Sequence, residues 1–108
     1  MLTDKERSIV YACIHHWDRD VKTKFLLGIK AFPGNPPRWQ DGSFIACTTY
    51  SCPMCKEFLH KDLKCDNCLF VKFLSKKCDK LGGLDFIANP SLETCNNFML
   101  NFQKILEN

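Results

Sequence analysis

Several features are missing from this 108-residue chain, and each absence narrows what it is. No run of about eighteen apolar residues occurs, so no segment is expected to span a membrane. The N-terminus reads Met-Leu-Thr-Asp-Lys-Glu-Arg-Ser, with acids and no long apolar core, and does not resemble a secretory signal. There is no internal repeat and no low-complexity tract. Strong charge is absent too: the net charge is only +3, a weak argument for a polyanionic partner. Histidine is scarce, and neither His15 nor His16 has a nucleophile or carboxylate at a spacing that suggests catalysis.

What is present suits one small globular domain. Hydrophobic residues make up 45% of the chain and include nine phenylalanines, enough for a real core. A chain of this length buries roughly two-thirds of its unfolded surface. It also carries eight cysteines. Without a leader the expected location is the cytoplasm, where cysteines serve as metal ligands or buried thiols more than as disulfides.

Four of those cysteines form the strongest motif. Cys52-Pro53-Met54-Cys55 and Cys65-Asp66-Asn67-Cys68 are two C-x-x-C pairs with nine residues between them. Each pair offers two sulfurs from one turn, and the connection is long enough to fold one pair over the other. Cys52, Cys55, Cys65 and Cys68 are therefore expected to hold one tetrahedral Zn²⁺. An iron–sulfur cluster uses the same thiolates and is the alternative, although the ferredoxin run of three close cysteines is missing. Such a closed site is a structural staple, so no enzyme is expected.

The other candidates are weaker. If residues 69–78 form a straight helix, Cys78 lies roughly 15 Å from Cys68 and cannot share its ion. Cys47 and His60 are spare ligands by position. Cys13 and Cys95 fall on apolar helical stripes and read as small core residues. His16 shares the face of Cys13 and Trp17, as a packed imidazole. Residues 56–80 hold seven lysines against four acids, a local +3 that accounts for the whole net charge. Lys72, Lys76 and Lys77 are accordingly candidate phosphate contacts, weighed against an ordinary solvated face.

Periodicity places the elements. Thr3 and Glu6 form a capping-box signature ahead of Ile9, Cys13, Trp17 and Val21, predicting a helix over about 4–18 that may extend through 21–30. Pro33-Gly34-Asn35-Pro36-Pro37 breaks it, and 33–43 reads as a loop. Phe44–Cys47 suggests a short strand, and 56–64 has room for two helical turns. A helix begins at Cys68, and Gly82-Gly83 ends that segment. A final helix starts at Asn89 or Ser91, with Leu92, Cys95, Met99, Phe102 and Leu106 on its buried face. The expected fold is mostly α, one small domain with a knuckle- or ribbon-like Cys₄ site and at most one short hairpin. Its parts are a helical region 1–30, a loop 31–51, a cysteine-rich segment 52–80 and a C-terminal helix 81–108.

Two resemblances follow from these motifs. Tyr50-Ser51-Cys52-Pro53-Met54-Cys55-Lys56 and the later Gly82-Gly83 resemble the active-site turn and glycine pair of glutaredoxins, implying a thiol oxidoreductase. The preceding helix and the second C-x-x-C depart from that pattern. The order of elements also resembles small cysteine-rich bacteriophage and prophage proteins. Ala12 with His16-Trp17, the two C-x-x-C pairs, Cys78, and Asn89-Pro90 before the last helix carry this likeness. Leu69 after Cys68, and Asn89-Pro90-Ser91 in place of Thr-Pro-Tyr, are its departures. The group has no agreed activity. The resemblance implies a protein of the host cytoplasm that binds and inhibits or redirects a host factor, such as an antiviral defence component. Nucleic-acid binding through the lysines is the competing expectation.

Overall fold

The structure is a computed structural model that describes residues 2–47, 52–62 and 68–108, with the backbone alone at 58–62. Its first helix, α1 (Asp4–Trp17), starts where the capping box demands. The Thr3 hydroxyl accepts from the Glu6 amide at 3.1 Å, and the Glu6 carboxylate accepts from the Thr3 amide at 2.9 Å. The helix runs on without a break through a π-helical turn (Asp18–Lys22) into α2 (Thr23–Leu26). The wide turn has a physical reason. Residues spaced by four drift by about 40° per step around a regular α-helix, and a wider turn takes up the excess. Cys13, Trp17 and Val21 are thereby all kept on the buried side.

The segment read as a loop contains a hairpin. β1 (Ala31–Phe32) pairs antiparallel with β2 (Arg38–Trp39), in the register Ala31 to Trp39 and Phe32 to Arg38. The prolines between them forbid helix but leave the flanking residues free to alternate inward and outward. The strand expected at Phe44–Cys47 is reduced to a single bridge from Phe44 to Arg38.

α3 (Pro53–Asp62) begins at the first cysteine pair rather than after it, with the Lys56 amide donating to the Cys52 carbonyl at 2.9 Å. Proline suits a first helical position, because its missing N–H is not needed there. α4 (Leu69–Leu74) starts after Cys68 and is only six residues long. It stops at Ser75, in the left-handed region at φ 61°, and not at the glycines. A 3₁₀ turn (Cys78–Leu81) then leads through Gly82 into α5 (Gly83–Ala88). Ser91, not Asn89, caps α6 (Leu92–Leu106), exchanging hydrogen bonds with Thr94.

α6 packs on α1 and α4, and their aromatic side chains meet there. Trp17 lies 4.7 Å from Phe98 and 5.3 Å from Phe86 between ring centroids, while Phe70 lies 5.6 Å from Phe102. The chain is one mostly helical domain with a small hairpin. Its radius of gyration of 13.4 Å matches the about 13 Å expected for a compact chain of this length.

Candidate functional site

The first cysteine pair sits at the N-terminal end of α3, Cys52 just ahead of it and Cys55 in its first turn. α1 packs directly against α3 and brings Cys13 to the same place. The thiols are linked pairwise, Cys13 to Cys52 and Cys52 to Cys55. The hydrogen bond from Cys13, then that from Cys55, holds the Cys52 thiol far below the ordinary range, with the Cys55 and Met54 amides adding to the effect against burial. Donating to Cys52 pushes the Cys13 thiol far up, and its burial raises it further. Cys47 is pushed up to about 12, chiefly by burial and also by the nearby Cys52 charge. Cys52 is thus the favoured thiolate, the form that binds metal.

Of the four predicted ligands, Cys52 and Cys55 come together. Cys68 is buried just before α4, and Cys65 lies outside the described residues. Among the described residues no group of three or more His, Cys, Asp or Glu is arranged to hold a metal ion. A tetrahedral site built on these thiols therefore needs a donor from outside the described set, and Cys65 is the cysteine the sequence supplies there. The sulfur donors suit zinc, which takes thiolates at short range. The His60 side chain also lies outside the described residues. With α4 ending at Leu74, the straight helix that would have carried Cys78 away from Cys68 does not exist. Sequence reasoning took Cys13 as a core filler. Its stripe position is right, but periodicity carries no information about which helix faces it.

His16 turns out to be a structural tie. Its Nε2 donates to the Ala46 carbonyl at 2.6 Å, and Nδ1 stands 2.9 Å from the Asp20 carboxylate. Both partners are acceptors, so only a ring carrying both protons serves them together. Through this bond α1 holds the strand of chain that leads to Cys47. Of the three lysines, Lys72 is engaged by Glu6 at 2.5 Å and lies over the Phe73 ring. Lys76 and Lys77 are exposed beyond the end of α4.

A second feature lies on the hairpin. Phe32 pairs with Arg38, and Arg38 pairs with Phe44, so the three side chains form a row across one face. The Arg38 guanidinium rests 4.5 Å from the centre of the Phe44 ring. Phe32 and Phe44 are 56% and 55% exposed, whereas Trp39, on the opposite face, is buried against Phe25 at 4.9 Å. Leu26 and Leu27, at the end of α2, are also exposed, Leu27 by 73%. A cleft of about 390 Å³ lies alongside, lined by Phe32, Pro33, Asn35, Arg38 and Trp39.

No helix among the described residues is long and apolar enough to cross a membrane. No protein-family model matches this chain, and no curated protein or solved structure matches it either.

Proposed function

We propose that this protein is a protein-binding module, stapled by zinc and not itself an enzyme, whose contact surface is the hairpin face. The observation that supports this is the exposed Phe32–Arg38–Phe44 row. Two aromatic rings flanking an arginine are the residue types that dominate binding energy at protein interfaces. Fully burying one such apolar side chain is worth about 1.5–3 kcal/mol, a gain that folding of this chain leaves unused. Zinc on Cys52, Cys55, Cys65 and Cys68 supplies rigidity to the segment beyond the hairpin. The bacteriophage resemblance directs the search toward a host factor.

The nucleic-acid reading is weakened by the Lys72–Glu6 pair, which neutralises one of its three lysines. The two readings separate in one experiment. Capture from host lysate is compared for wild type, Phe32→Asp/Phe44→Asp and Lys76→Glu/Lys77→Glu, at low and high salt. A single host protein retained at high salt by wild type and the lysine variant, and lost by the hairpin variant, is expected. DNA or RNA retained only at low salt, and lost by the lysine variant, establishes the alternative instead.

A further inference from the structure

The N-terminal helix carries a thiol that the double C-x-x-C motif does not include. Cys13 is fully buried in α1, beneath the start of α3, and hydrogen-bonds to Cys52. Cys95 provides the comparison. It is equally buried, but its thiol meets the Met99 thioether at 3.8 Å, in the way a small core residue does. Cys13 instead faces a second thiol that itself contacts a third. Three sulfurs in sequence, from two separate elements, are what a thiophilic cation gathers.

We propose that Cys13 is itself a ligand of the metal, so that a divalent thiophilic cation, zinc first, is held between α1 and the start of α3. This rests on the metal reading above and changes it. The ion is no longer enclosed by two neighbouring turns of one segment but ties the first helix to the cysteine-rich region. A tetrahedral ion takes four sulfurs. Cys13, Cys52, Cys55, Cys65 and Cys68 offer five, and the inference is that Cys13 is not the one left out. As zinc enters, each coordinating thiol releases its proton to solvent and binds as thiolate; no redox step is involved.

The test uses the full wild-type chain loaded with an NMR-active cadmium isotope in place of zinc. Scalar coupling between the cadmium and cysteine β-protons identifies the ligands directly, without a mutation. Coupling to Cys13 is expected, and none to Cys95. Coupling to other cysteines with none to Cys13 overturns the inference and leaves the metal reading standing. Absence of coupling to any cysteine overturns both. A second measurement reads affinity. Cys13→Ser is expected to weaken cobalt or zinc binding by more than about 100-fold, the upper cost of losing even an outer-shell partner. Cys95→Ser should leave it unchanged. If Cys13→Ser fails to fold, the wild-type cadmium spectrum decides alone.

Discussion

Trp17 packs its indole between Phe86 and Phe98, yet the indole nitrogen meets no acceptor among the described residues. A buried donor left unpaired costs about 1–3 kcal/mol. Trp17→Phe removes that penalty while keeping an aromatic ring, so its stability by chemical denaturation should stay within about 1 kcal/mol of wild type. Trp17→Ala should lose about 3–5 kcal/mol through the cavity it opens. Asn101 is the opposite case. It is buried, and its side-chain amide donates to the Leu81 carbonyl at 2.6 Å and the Phe98 carbonyl at 2.9 Å, fastening the 3₁₀ turn to α6. Asn101→Leu is expected to cost about 1–3 kcal/mol, because the Leu81 carbonyl loses its partner. The sequence gives no warning of this residue, since an asparagine on a helix normally faces water. Only the fold puts a turn of backbone against it.

Among the elements, α1 is held at its start by more than its own cap. Glu6 caps Thr3 and also receives Lys72 from α4, and both contacts lower its carboxyl below the ordinary value of 4.5, Lys72 foremost. A depressed carboxylate adds stability that is complete above its unfolded value and lost as pH falls through the folded value. Glu6→Gln should therefore cost about 0.5–2 kcal/mol near neutral pH, and the difference from wild type should shrink on acidification below pH about 4.5. Denaturation midpoints across that range check it. α5 offers a test in which local preference and packing oppose each other. Alanine is about 1 kcal/mol better than glycine in a helix, but a β-carbon on Gly83 would stand 2.8 Å from the Cys78 carbonyl oxygen. That neighbour is backbone and yields only if the turn moves, so Gly83→Ala should lower the melting temperature. The glycine pair was readable as a break in the sequence. Its place between a 3₁₀ turn and a helix was not, because Ser75 had already ended α4.

At the scale of the whole molecule, the metal is expected to govern how much of the chain stays folded. Structural zinc of this type contributes about 10–16 kcal/mol of apparent binding energy, as much as the net stability of a domain. Chelation should raise hydrogen exchange throughout residues 44–80, and with Cys13 as a ligand the loosening should reach α1. Exchange confined to residues 44–80 would match a site closed within the cysteine-rich segment alone. The helices at both ends of the chain were legible because their evidence is local: a Thr3–Glu6 cap, a Ser91 cap and stripes that repeat every three or four residues. The hairpin was not, because its two-residue strands are too short for alternation to register. The sequence by itself determined that thiols dominate this chain's chemistry and that its core is helical, since cysteine spacing and hydrophobic period are written in order along it. Tertiary packing alone decided that Cys13 faces Cys52, that Lys72 is drawn to Glu6 and that Phe32, Arg38 and Phe44 share one exposed face. Those pairings join residues distant in the chain, and their energies exist only once the elements have met.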